Sequence, residues 1–233
     1  MTAYTRDEPS PRYRELERVY ADVHSDGLAG DGISAQEVFA GSSLYDHIPA
    51  VRDLVRQTGA RTVLDYGAGK GLLYRQCDVT LPDGTVAPTV QAYWGIDEIR
   101  CYDPGVPEFS ALPDETFDGV VCTDVLEHIP EEDIDWFLRE LFRFADRFVY
   151  ANIASYPARK TLPNGWNAHV TVKEPRWWRE RITAAARGWR GEAYVFQVLE
   201  RKRGLEGSIR RLVGLTKWKA TAIEYGTRAG GRT

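Results

Sequence analysis

Three alternate glycines directly after a short apolar run, in Val63-Leu64-Asp65-Tyr66-Gly67-Ala68-Gly69-Lys70-Gly71, constrain this chain more than any other feature. The apolar run is too brief for a helix and reads as a buried β-strand. Glycine accepts positive φ and lets backbone pass close to a ligand, and a helix N-terminus after the turn would offer N–H donors to a carboxylate or phosphate. A small polar ligand is therefore expected on this turn. The spacing also excludes. A dinucleotide fingerprint, G-x-G-x-x-G, needs glycine three residues beyond Gly69, where Leu72 stands. A phosphate-binding loop, G-x-x-x-x-G-K-[ST], would need glycine at position 64 and a hydroxyl at 71, where Leu64 and Gly71 stand.

The rest of the chain alternates strand-like and helical segments, the pattern of a mostly parallel sheet covered on both faces. A helix begins near Asp46, with Leu44, Ile48, Val51 and Val55 at helical spacing, Pro49 in its first turn and Gly59 as its stop. Arg61 to Asp65, Phe117 to Cys122 and Arg147 to Ile153 read as strands. Between the last two lies an amphipathic helix, with Pro130, Glu131, Glu132 and Asp133 as its acidic first turn and Ile134, Phe137, Leu138, Leu141 and Phe142 as its buried stripe. Pro175 opens a helix carrying Trp177, Trp178 and Ile182, and Tyr194 to Leu199 and Trp218 to Tyr225 read as final strands. The expected fold class is α/β and Rossmann-like, with residues 1–43 as an N-terminal arm holding one helix around Tyr13 to Tyr20, and 44–233 as the domain.

Composition narrows the function classes. With 233 residues, 43% hydrophobic and 27% charged, the chain suits one soluble domain. No apolar run approaches the roughly eighteen residues of a membrane span, and the first twenty residues lack a signal-peptide core, so a cytoplasmic protein is expected. Cys77, Cys101 and Cys122 are scattered and odd in number, which predicts buried reduced thiols rather than a disulfide framework or a zinc site. A net charge of -4 argues against wholesale nucleic-acid binding, although residues 201–233 carry nine Lys or Arg against Glu206 and Glu224. That basic tail, with Arg210, Arg211, Lys217 and Lys219, reads as a solvated face or as the mark of an anionic acceptor. Oligomeric state is not legible.

Asp65, just ahead of the glycines, suits pairing with a cationic amine, or ties the turn together through backbone bonds. Together with the three alternate glycines it resembles the first motif of the class I S-adenosylmethionine (SAM)-dependent methyltransferases. Phe117 to His128, ending in Leu126-Glu127-His128, resembles that family's strand-four motif, and the two occur in the family's order. The run Tyr102 to Val106 and the turn Leu162 to Gly165 are similar to a group of bacterial and phage methyltransferases of undefined substrate. The resemblance covers about Leu44 to Tyr225 and implies a seven-stranded sheet whose last two strands form an antiparallel hairpin. It implies SAM as cofactor, with Asp65, Gly67 and Gly69 lining its methionine part and Gly71 closing the turn. An acidic residue after the second strand would hold the ribose hydroxyls: Asp103, with Asp97 as rival. Thr123 and Asp124 would touch the cofactor from the top of the next strand, unless Asp124 caps the following helix. Only thirteen residues, 104–116, follow Asp103 before Phe117, so the usual third strand is expected to be shortened or absent, with Leu112 the guess for the adenine side.

Methyl transfer from a sulfonium mainly needs acceptor and methyl held in line, and a general base only for some acceptors. The segment after Ile153 is long, polar and aromatic, and ends in His169. His169 is the leading candidate for a catalytic base and His128 the second, each also readable as a packed structural histidine. Trp177 and Trp178 read as core rather than as a substrate platform. The expected acceptor is a small molecule or glycan precursor. An RNA or protein methyltransferase, or a SAM-binding partner subunit without activity, is the alternative.

Overall fold

In the computed structural model, which describes residues 4–27, 41–201 and 218–226, the eight strands are β1 (Thr62–Tyr66), β2 (Val79–Thr80), β3 (Val86–Ala87), β4 (Glu98–Tyr102), β5 (Phe117–Thr123), β6 (Ala145–Ala154), β7 (Ala193–Arg201) and β8 (Trp218–Tyr225). Six of them form one sheet in the order β4-β1-β5-β6-β7-β8, while β2 and β3 pair separately as a small antiparallel hairpin. Neighbours from β4 to β7 run parallel, and β8 returns antiparallel along β7. This is an α/β fold with a mostly parallel sheet and a C-terminal antiparallel hairpin, consistent with a Rossmann-like methyltransferase fold.

Period-two alternation along the strands builds a core on each face. Leu64 and Tyr66 of β1, with Val120, Cys122, Val149 and Phe196, face α4 (Ile134–Phe144) and α5 (Pro175–Ala185). Val63, Val121, Phe148 and Tyr150 face the other way, toward α2 (Ile48–Thr58) and α3 (Val90–Trp94). The stripe Ile134, Phe137, Leu138 and Leu141 of α4 is almost fully buried, roughly 1.5–3 kcal/mol per side chain. Trp178 and Ile182 of α5 join the same core.

Several boundaries differ from expectation. Among the described residues the sheet has six strands and not the seven that the family resemblance implies; the third strand is absent, as the short 104–116 spacing predicts, because that stretch holds only a 3-10 turn at Pro107–Phe109 and β4 is left at the edge. The glycine turn leads into a single 3-10 turn, Leu72–Arg75, and not an α-helix, since the chain departs at once into the β2–β3 hairpin closed by Gly84. Asp46 lies in a 3-10 turn ahead of α2 without a capping hydrogen bond, whereas Pro49 and the left-handed Gly59 act as expected. Glu131, Glu132 and Asp133 precede α4 rather than forming its first turn. Of the cysteines, all free, only Cys122 is buried, Cys101 being intermediate and Cys77 exposed.

The N-terminal segment is less of an arm than its polar composition suggests. Helix α1 (Pro11–Asp26) starts at Ser10, whose side chain accepts from Tyr13 N at 3.0 Å, with proline in the first turn. Ser10 also gives its N–H and O–H to the Asp133 carboxylate at 3.0 and 2.5 Å, fixing α1 to the start of α4. Ahead of it, the Arg6 guanidinium reaches the buried Glu140 at 2.6 Å and the hydroxyls of Tyr66 and Tyr102 at 2.8 and 2.5 Å. These ties hold α1 across the ends of the strands. Among the described residues no helix is long and apolar enough to cross a membrane.

Candidate active site

Parallel strands leave their C-terminal ends beside one another, and open α/β sheets place ligands in the crevice beyond them. A cavity of about 1000 Å³ lies there, between the loops after β1, β4, β5 and β6 and the underside of α1. Its floor is the glycine turn. Gly67, Gly69 and Gly71 have φ of 85°, 55° and 57°. Gly67 N and Ala68 N both donate to Tyr102 O, at 2.8 and 3.1 Å, which couples the turn to the end of β4, and Gly71 N closes it onto Ala68 O at 3.1 Å. A Cβ on Gly67 would lie 2.3 Å from Val125 Cγ2, so the turn has room only for glycine.

Asp103 follows β4 and lines the cavity. Its Oδ2 accepts from Gly69 N at 2.8 Å and its Oδ1 from Gly105 N at 2.9 Å, which fixes the carboxylate plane. Asp97 stands at the opposite end of the same strand, 62% exposed and ion-paired to Arg61. Thr123 and Asp124 end β5 and also line the cavity. Asp124 has a left-handed φ of 60°, its N–H donates to Asn152 Oδ1 at 3.0 Å, and the 3-10 turn that follows, Leu126–His128, has no side-chain cap.

The remaining cofactor-side candidates fall elsewhere. Asp65 points to the α2 face of β1, under the turn, and is not among the residues lining the cavity. Its Oδ2 accepts from Tyr74 Oη at 2.8 Å while Oδ1 has no protein partner, so it does not tie the turn through backbone bonds. Burial raises its carboxyl to about 7 against the Tyr74 hydrogen bond, with the nearby Asp103 charge adding to the rise. Gly71 likewise lies beneath the turn, where a Cβ would come 3.2 Å from Cys101 Sγ, and Leu112 packs against the core.

His128 and His169 also line the cavity. The rings meet edge to face with centroids 5.0 Å apart. His169 Nδ1 lies 2.6 Å from Tyr156 O and His128 Nδ1 lies 2.8 Å from Ala168 O. Burial lowers the His128 pKa to about 4, an effect increased by His169 and Lys160 and opposed by Asp124. Trp177 and Trp178 belong to the core. Glu127 and α1 were not legible as site elements. Glu127 is fully buried behind Asp124, accepts from Ala154 N at 2.7 Å, and is driven strongly toward its neutral form by burial first and the Asp124 charge second. From α1, Tyr20 brings its hydroxyl to 2.7 Å from His128 Nδ1, and Arg14 and Arg18 join Arg159 and Lys160 around the cavity. Of the basic tail, Arg210, Arg211 and Lys217 lie outside the described residues, while Lys219 sits on β8.

A family model described as "Methyltransferase domain" matches residues 64–147. A class I SAM-dependent methyltransferase domain is present over this part of the chain. The match supports SAM-dependent methyl transfer in general and names no acceptor. No curated protein and no solved structure matches the chain. The matched part of the methyltransferase domain runs from β1 into β6 and contains the glycine turn, Asp103, Thr123, Asp124 and His128. His169 and α1, which complete the cavity, lie outside it.

Proposed function

We propose that the chain transfers the methyl group of SAM to a small polar acceptor, such as a small molecule or glycan precursor, that enters the cavity beneath α1. The observation that carries this reading is the Asp103 carboxylate. It sits at the C-terminal end of β4, is oriented by Gly69 and Gly105, and lines a cleft floored by glycine backbone. Such a carboxylate can accept both hydroxyls of a ribose. The backbone of Gly67 and Gly69 would hold the methionine part, with Thr123 and Asp124 alongside. Asp65, buried under the turn, would act on it only through the turn's own electrostatics. When bound, SAM supplies an electrophilic methyl on a positive sulfur.

His169 and His128, which line the same cavity, act on the group to be methylated, His169 foremost. Arg14, Arg18, Arg159 and Lys160 favour an acceptor with an anionic group. Ligand cavities generally span roughly 300–1,000 Å³, so this one accommodates a cofactor with a compact acceptor more readily than a folded macromolecule, and the roof formed by α1 supports the same choice.

Melting curves with SAM, its demethylated product and NAD test the cofactor. Ligand at a hundredfold excess over its Kd stabilises by about 2.7 kcal/mol, a clear shift, expected for the first two alone. Radiolabelled SAM incubated with extract fractions then tests the acceptor. Label is expected in the small-molecule fraction, and label confined to RNA or protein would overturn that part of the reading.

A further inference from the structure

Three side chains that line the cavity converge. Asp124 offers a carboxylate oxygen and His128 and His169 one ring nitrogen each, all within 4.8 Å of one another. The two imidazoles are fixed in the same way, by a main-chain carbonyl at Nδ1, Tyr156 O for His169 and Ala168 O for His128. A carbonyl oxygen only accepts, so in the neutral form of each ring Nδ1 carries the proton and Nε2 keeps its lone pair. The Tyr20 hydroxyl near His128 Nδ1 fits this tautomer: its oxygen accepts from Nδ1–H, and its own proton is directed at Ala168 O, 3.3 Å away. Histidines that bind metals are characteristically held by an acceptor on one nitrogen while the other ligates. Two such rings beside a carboxylate form a set of borderline-soft and hard donors that suits zinc and its divalent neighbours.

We infer that Asp124, His128 and His169 form a binding site for a divalent transition-metal ion of the zinc class, on the acceptor side of the cavity. Ligands about 2.1 Å from a tetrahedral zinc lie about 3.4 Å apart, so small side-chain rotations, chiefly of the exposed Asp124, bring the donors into range. Three protein ligands leave a fourth position open, as in catalytic rather than structural zinc sites. What fills that position rests on the proposed function, and the chemistry points to an acceptor hydroxyl. Coordination lowers the pKa of a bound O–H. The hydroxyl proton then leaves to solvent, an oxygen lone pair forms the bond to the methyl carbon of SAM, and the electron pair of the broken C–S bond returns to sulfur. The histidines thus act on the acceptor as ligands, and the substrate class is an alcohol or phenol.

Titration of the chelator-treated full chain with cobalt(II), followed by visible absorption, tests the site without an acceptor. We expect d–d bands that saturate at one ion per chain and are displaced by zinc. His169→Gln and Asp124→Asn should each weaken cobalt binding at least about tenfold, while His169→Gln keeps the melting shift with SAM. Absence of the bands in the wild-type chain, or bands of undiminished affinity in both variants, would overturn the inference. If one variant does not fold, the other decides. A SAM shift without cobalt binding removes only the metal site, and cobalt binding without a SAM shift removes only the methyl-transfer reading.

Discussion

Replacing Asp103 by asparagine perturbs the cofactor side at one defined point. Each carboxylate oxygen accepts a backbone N–H, from Gly69 at 2.8 Å and from Gly105 at 2.9 Å. An amide has one oxygen, so its NH2 must face one of those N–H groups, donor against donor, and the glycine turn or the Asp103 loop must shift. The ribose would also lose a charged acceptor, and hydrogen bonds to charged groups contribute about 1.5–3 kcal/mol each. Because water and the remaining oxygen recover part of this, the net loss should be about 1.5–3 kcal/mol, a Kd raised roughly 10- to 150-fold. Asp97→Asn is the control. It breaks an exposed ion pair with Arg61, worth about 0–1 kcal/mol of stability, at the other end of the strand, and should leave affinity within about twofold. Calorimetric titration of both variants with the demethylated cofactor, after melting curves show that they fold, gives the comparison. Equal losses, or a larger loss in Asp97→Asn, would refute the assignment of Asp103 to the ribose.

Gly67→Ala should destabilise the fold by at least about 1–2 kcal/mol in urea titration, since a left-handed φ disfavours any Cβ and this one would meet Val125; adding Val125→Ala should recover the steric part and not the conformational part. Asp65 makes stability fall with rising pH. Its carboxyl titrates near 3.8 when unfolded and about 7 when folded, so the folded state binds the extra proton between those values and stability declines across that window, by an amount on the order of 4 kcal/mol. Asp65→Asn should flatten the decline, and melting temperatures at pH 5 and pH 8 that fall as steeply in the variant as in the wild type would contradict the account.

Much of the scaffold was legible because it is written in local periodicity. Short apolar runs marked β1, β5, β6 and β7 to within a few residues, the helical stripe of α4 was read residue by residue, and the glycine spacing located the turn. The missing third strand followed from chain length alone. Asp65 shows what a local motif leaves open. It occupies the strand position whose side chain faces α2, and a motif gives adjacency in sequence without saying which face of the sheet a residue serves. The helix expected after the turn was lost to the β2–β3 hairpin, whose pull on the chain a window around the glycines does not contain.

The sequence by itself determined an α/β chain with a glycine turn after its first strand and an acidic residue after the neighbouring strand, because those properties depend on residues close together along the backbone. Only the tertiary structure decided that α1 closes over the cleft through Arg6 and Ser10, and that His128 and His169, from separate loops, turn their rings toward each other beside Asp124. Those contacts join segments that are distant in sequence. Their geometry is set by how helices and loops pack across the sheet ends, which no local pattern encodes.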